Sequence, residues 1–190
     1  SYLAADPFRS LWFGKHLREG RYRHDSQTVF DHAGGQVLFR YFDFSRVPRE
    51  ITSLAEAERY GEYVEQRFPL ERHALDELAV LYYMRTLPLQ PGQVYRAHVF
   101  ASRKSYDLEV RVLKREVLDT AIGRRDTLVV EPVLAFEGIF QQKGRMVVWL
   151  TNDVERVPVQ MKSQIAVGSF VSTLVRREAG TAQAGLPPKG

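Results

Sequence analysis

Asn152-Asp153, with Arg156 three residues beyond Asp153, is the sharpest polar cluster in the chain. A carboxylate and a guanidinium at a strand end can grip a polar ligand through charge-assisted hydrogen bonds. The same residue types also lock tight turns, because Asn and Asp bond their own backbone and Arg156 can pair with Asp153 across the bend. Five histidines (His16, His24, His32, His73 and His98) could supply acid–base or metal chemistry. None has the i, i+4 helical spacing of a zinc site, and no HExxH occurs. His24 and His32 could meet across a hairpin, whereas His98 shares a strand face with Arg96 and Phe100 and reads as a surface ring. Ser102, Ser105, Ser163 and Ser169 sit in no Gly-x-Ser-x-Gly elbow, and no Gly-rich phosphate loop appears. Glu71, Asp76 and Glu77, beside Arg72, look like charge at a helix start rather than an acid/base pair. The chain has no Cys, which removes thiolate catalysis, disulfides and Cys-based metal sites. Neither a metal nor a cofactor is expected, and nothing requires an enzyme.

Aromatic side chains have more to say. Tyr82, Tyr83, Tyr95, Phe100, Tyr106, Phe136, Phe140, Trp149 and Phe170 can fill a core, or a subset can line an apolar cleft for a lipid-like or glycan-like ligand. The candidate binding residues are Tyr82, Tyr83, Arg85, Tyr95, Trp149, Asp153 and Arg156.

The elements that would position them are mostly strands. Between Val94 and Val175 apolar and polar residues alternate at a period of two: Tyr106, Leu108, Val110 and Val112 on one side, Asp107, Glu109 and Arg111 on the other. Strands are expected over 18–31, 36–44, 93–101, 105–115, 126–136, 145–150, 157–165 and 169–177, with turns at Gly34-Gly35, Ser102-Arg103-Lys104, 119–123, Gly138 with Lys143-Gly144, 151–153 and Val167-Gly168. Ser53 and Glu56 form a capping box, followed by Leu54, Ala57, Tyr60, Gly61 and Val64 at helical spacing up to Pro69. Leu75, Leu78, Ala79, Tyr82 and Tyr83 form a second helical stripe ending before Pro88. The strands at 145–150 and 169–177 are apolar on both faces, so both are expected to be covered on both sides, by the core on one and the helices on the other. The expected fold is mainly β with a helical insertion: an antiparallel meander curled into a partly open β-barrel or half-barrel, with two short helices packed on it. A single domain over 1–178 (helical connection about 53–86) and a disordered tail over 179–190 complete the expectation.

At 190 residues the chain is long enough to bury a real core, and 44% hydrophobic residues argue against disorder. The net charge of +4 comes from 27 basic against 23 acidic residues with the signs interleaved, so no nucleic-acid track is expected. No apolar run approaches the ~18 residues of a membrane span. The first residues lack the basic start and apolar core of a signal peptide and there is no initiator Met, so any targeting segment is expected upstream of Ser1.

Trp149-Leu150-Thr151-Asn152-Asp153, followed by Arg156, Pro158-Val159 and Gly168, forms a recognisable series. Leu81-Tyr82-Tyr83-Met84-Arg85 with Leu87 and Pro91-Gly92, and Arg18-Glu19-Gly20 with Phe30-Asp31, extend it upstream. Together they resemble the bacterial family of exported proteins catalogued as domain of unknown function 3108, from about Leu17 to about Leu174. The resemblance implies an envelope protein, periplasmic or otherwise exported, made with a cleaved signal on a β-rich fold; it carries over no catalytic residue. Two departures follow: members begin with further strands upstream of the Glu-Gly segment, so the sheet here is expected to be truncated, and 46–67 looks like a longer, more helical insertion. The expected function is non-enzymatic binding of an amphiphilic, lipid-like or polymeric ligand in a groove of the curled sheet. The alternatives are a scaffold pairing with an envelope protein through a sheet edge and an enzyme acting on envelope glycans.

Overall fold

The computed structural model describes residues 1–47, 49–135, 145–165 and 168–178. Phe136, Phe140, the turn at Gly138 and Lys143-Gly144, and the tail over 179–190 lie outside them. The described chain is mainly β, with eleven strands and two short helices. Strand order follows chain order in both antiparallel sheets, and neither closes into a barrel: β1-β2-β3-β4-β5 in one, β11-β10-β9-β8-β7-β6 in the other. The residues gather into two compact units, Ser1–Ala79 with His98–Ser105, and Val80–Ala97 with Tyr106 onward.

The first unit holds β1 (Tyr2–Ala5), β2 (Phe8–Glu19), β3 (Tyr22–Asp31), β4 (Gln36–Asp43) and β5 (Glu62–Pro69), with α1 (Leu54–Tyr60) between the last two. The span 18–31 is not one strand but a hairpin, β2 and β3 meeting at Gly20, whose φ of +58° suits the absence of a Cβ. The Gly34-Gly35 turn is as expected, with Asp31 Oδ1 accepting from Ala33 N–H (3.1 Å) and Gly34 N–H (2.8 Å). Residues ahead of Leu17 themselves supply strands, so β1 and most of β2 stand where the sheet was expected to be truncated.

A second difference is β5. The helical spacing expected to run to Pro69 stops at Gly61, whose N–H reaches Ala57 O at 2.9 Å; a Cβ there would lie 2.7 Å from that oxygen. Beyond it the chain is extended and pairs with β4 from Asp43↔Glu62 to Gln36↔Pro69. Ser53 does cap α1, its Oγ accepting from Glu56 N–H at 3.3 Å, while the Glu56 carboxylate reaches back to Thr52 N–H at 3.0 Å. That bond, first among the causes, holds the Glu56 carboxyl below its ordinary value.

β3 lies between β2 and β4 with no register break, so its odd residues face one side and its even residues the other. The odd side carries Asp25 opposite His16 and Phe42, and the cluster of Phe42, Phe44, Ile51 and Ala57 brings α1 onto that face. Asp25 is buried there (side chain 3% exposed), held by Arg18 Nη1 at 2.7 Å and His16 Nδ1 at 3.0 Å. Arg18 also donates to Ile51 O at 3.0 Å and lies 4.6 Å from the Phe44 ring centre. On the other face Phe30, Val37, Ala74 and Phe100 form a second cluster with Phe13, Phe68 and Leu70. Leu75 bridges Val99 in parallel, its N–H and C=O bonding His98 O and Phe100 N–H at 2.8 Å each.

Helix α2 (Ala79–Thr86) starts later than the stripe from Leu75 implied. Asp76 sets the start: fully buried, it accepts from Leu78 and Ala79 N–H at 2.9 Å and from the hydroxyls of Ser1 and Ser10 at 2.7 Å.

The second unit carries the expected meander: β6 (Val94–Ala101, its end in the first unit), β7 (Lys104–Thr120), β8 (Gly123–Ala135), β9 (Met146–Thr151), β10 (Pro158–Ile165) and β11 (Gly168–Thr173). Leu108, Val110 and Val112 are buried and Asp107 and Arg111 exposed, matching the alternation. In β9 Val147 and Val148 are both buried, so that strand is covered on both faces. β11 is not: all six residues are exposed, Phe170 at 49% and Val171 at 53%. It is the edge strand, paired only with β10 among the described residues.

Breaking a buried ion pair from one side leaves the partner's charge without compensation. Asp25→Ala is therefore expected to lower unfolding stability by about 3 kcal/mol, read by urea denaturation with the m-value unchanged. Arg18→Leu, which removes the opposite charge, should be costly by itself yet recover part of that loss in the double variant.

Candidate functional site

The even face of β3 carries a cavity of about 430 Å³ in the first unit, within the size range of small-molecule sites. Strand register orders its lining. Phe13, Thr28 and Phe39 form one row across β2, β3 and β4; Lys15, Ser26, Tyr41 and Val64 form the next, across β2 to β5. His24 and Tyr22 follow along β3, while Phe100 stands at the opposite, apolar end beside Phe30. The floor thus passes from rings to polar groups along the strands. Ala101, Ser102 and Arg103 of the β6–β7 hairpin and Glu77 complete the wall.

Charge at the polar end is mixed, with Asp43 opposite His24 and acting on both His24 and Tyr41. Lys15 Nζ and Glu77 Oε2 are 2.7 Å apart, each side chain 38% exposed. Arg103 adds a second cation, close enough to Tyr41 to act on its phenol. Ser102 and Arg103 both have left-handed backbones (φ 49° and 65°) with no glycine at the turn, a costly conformation for ordinary residues. Burial, then a hydrogen bond with Tyr22, pushes the Tyr41 phenol well above its ordinary value, so it stays protonated.

His24 is the most constrained polar group there. It is 8% exposed, and its ring lies 4.8 Å from the rings of both Tyr22 and Tyr41. Its Nδ1 is buried and finds no hydrogen-bond partner among the described residues. Burial is the main cause that lowers its pKa, against the raising effect of Asp43, and the imidazole is neutral near pH 7. His24 does not meet His32 across the hairpin: it opposes Leu17 and Asp43, while His32 Nε2 lies 2.7 Å from Ser10 O. No group of three or more His, Cys, Asp or Glu able to hold a metal occurs among the described residues.

The seven residues singled out from sequence all belong to the second unit, and none lines this cavity. Asp153 Oδ1 accepts from the Thr151 hydroxyl (2.8 Å) and from Glu155 and Arg156 N–H (3.0 and 3.1 Å), while Val157 N–H donates to Thr151 Oγ1 at 2.8 Å. Burial opposes ionisation of Asp153, but the Thr151 hydroxyl and the two N–H groups outweigh it and lower the carboxyl's pKa. Arg156 donates to Asn152 Oδ1 at 3.1 Å, and Asn152 to Asp126 at 2.8 Å. Arg85 joins this turn through Glu155 O at 3.1 Å, and Arg177 binds the Glu155 carboxylate at 2.8 Å. The other aromatic candidates have separate partners: Tyr83 with Arg96 O (3.3 Å), Tyr95 with Pro88 O (2.6 Å), Trp149 Nε1 with Glu116 (2.9 Å), and Tyr82 under the Arg85 guanidinium (5.8 Å). These contacts describe a turn lock and capped ring edges. Sequence reading missed the cavity residues because Phe13, Lys15, Phe39 and Tyr41 meet only through strand register, although the alternation of Tyr22, His24, Ser26 and Thr28 was readable.

No curated protein and no solved structure matches the chain significantly. The family described as protein of unknown function (DUF3108) matches residues 1–175, and the chain belongs to that family.

Proposed function

We propose that this is a non-enzymatic ligand-binding protein of the bacterial envelope, periplasmic or otherwise exported, that holds an amphiphile in the first unit's cavity. The reading rests on the gradient of the cavity floor. Phe100, Phe13 and Phe39 offer an apolar bed for a hydrocarbon tail, and Arg103, Ser26 and Tyr41 offer a cation and hydroxyls for an anionic headgroup, with Lys15 paired to Glu77 beside them. A neutral His24 suits such a wall, since its ring adds aromatic surface without a buried charge. A glycan-cleaving site needs a pair of carboxylates across the scissile bond. The cavity lining contains one, Glu77, and it is already engaged with Lys15.

Uptake of a fluorescent long-chain fatty acid, followed by displacement with unlabelled fatty acid and phospholipid, tests the reading. Phe39→Ser removes half-buried ring surface from the floor and is expected to weaken binding about tenfold or more, the equivalent of ~1.5–3 kcal/mol for a buried ring. A protein that takes up no amphiphile, and whose native mass spectrum shows no bound molecule after purification from its own envelope, would refute it.

The orphan Nδ1 makes a separate prediction. A base whose folded pKa lies below its unfolded value of 6.5 costs nothing above that pH; stability is then lost as pH falls through 6.5 towards the folded pKa, because only the unfolded chain gains the proton. His24→Phe keeps the ring and removes the unpaired nitrogen, so it should raise stability by about 1 kcal/mol and flatten that part of the pH profile. Equal slopes for variant and wild type in urea titrations would refute the assignment.

A further inference from the structure

The four sheet edges are not protected alike. β1 is four residues long with a register break at its start. β5 carries Glu62, Glu65 and Arg67 and ends at Pro69. β6 carries Arg96, and Leu75 bonds its far end. Short length, breaks, charge and Pro are the features that keep an edge from recruiting another strand. β11, Gly168-Ser169-Phe170-Val171-Ser172-Thr173, has none of them: no charge, no Pro, and no break in its register with β10.

Backbone alternation identifies the groups turned away from β10. Leu174 N–H bonds Val159 O at 2.9 Å, so Leu174, Ser172 and Phe170 direct their N–H and C=O towards β10. Ser169, Val171 and Thr173 therefore direct theirs outward. A two-fold axis normal to a continuous antiparallel sheet requires some residue to face its own copy, because facing side chains lie on the same side of the sheet. Centring that axis on Val171 pairs every outward group: Val171 with Val171, and Ser169 with Thr173 in both directions. Val171 then packs on its own copy between two Ser–Thr pairs, and each Phe170 covers a Ser172 on the other side.

We propose that β11 pairs with β11 of a second copy, antiparallel and centred on Val171, joining two six-stranded sheets into one across a two-fold axis. The partner is a second copy because the strand is complementary to itself in this register, and because isologous pairing uses up both edges and closes the assembly. The proposal is independent of the cavity, which lies on other strands.

Sedimentation equilibrium across a concentration series tests it on the full chain. The wild type should be a monomer–dimer system. Val171→Lys sets two like charges opposite each other and should raise the dimer dissociation constant about tenfold or more. A urea midpoint equal to the wild type's, read at a concentration where both are monomeric, would show that the variant folds. Val171→Cys, in a chain with no other Cys, should form a disulfide-linked dimer on mild oxidation, whereas Lys104→Cys, on the exposed β6–β7 hairpin, should form no disulfide-linked dimer. A strictly monomeric wild type, including one that captures a strand of another protein, overturns the proposal. So does a dimer that Val171→Lys leaves intact or that Val171→Cys fails to link.

Discussion

β3 runs through the middle of the five-stranded sheet, paired on both sides without a break, so each residue is committed to one face by its parity. Asp25, on the odd side, lies where Arg18, His16 and the α1 cluster can hold it. Tyr22, His24, Ser26 and Thr28, on the even side, line the cavity. A slip of one residue would place the Asp25 carboxylate in the cavity and the His24 ring among Phe42, Phe44 and Ile51. The buried ion pair opposes that slip, since it would part the Asp25 carboxylate from Arg18 and His16. The cavity's composition is thus fixed from the opposite face of the same strand.

Where the chain's signals are local, the sequence was readable. The alternation of Leu108, Val110 and Val112, the Gly34-Gly35 turn and the Ser53–Glu56 cap each lie within a few residues, and each appears in the structure. The start of α2 was not readable, because the groups that fix Asp76 come from Ser1 and Ser10, far away in the chain. β2 escaped for a related reason. A register shift with β1 between Trp12 and Ser10 breaks the parity of β2: Ser10 is buried against Asp76 while Trp12 meets Tyr2 edge-on at 5.5 Å, so no simple alternation marks the strand.

The second unit shows why a polar constellation is a poor guide to a site. Asn152, Asp153 and Arg156 are rare enough together to suggest a ligand, yet most of their hydrogen-bonding capacity goes to one another and to nearby backbone. Arg156 has a positive φ of 47°, a strained conformation that this network offsets. The first unit shows the converse: His24 drew notice only as half of a histidine pair, yet it holds a buried nitrogen with no partner among the described residues.

Two of the strands misjudged from sequence, β5 and β11, are both edges, and those errors share one cause. Glu62, Glu65, Gln66 and Arg67 keep β5 from recruiting a neighbour, and the same residues favour helices, so protecting the edge disguised the strand. β11 lacks such residues, so its extended conformation was evident while its exposure was not: Phe170 and Val171 on opposite faces suggest a strand covered from both sides. Hydrophobic patterning reports which surfaces a chain avoids exposing to water, but it does not say whether the covering element belongs to the same molecule. In β5 the edge is closed by charge; in β11 the apolar faces and the backbone groups that no described strand pairs lie on the same six residues, so covering one brings a partner for the other.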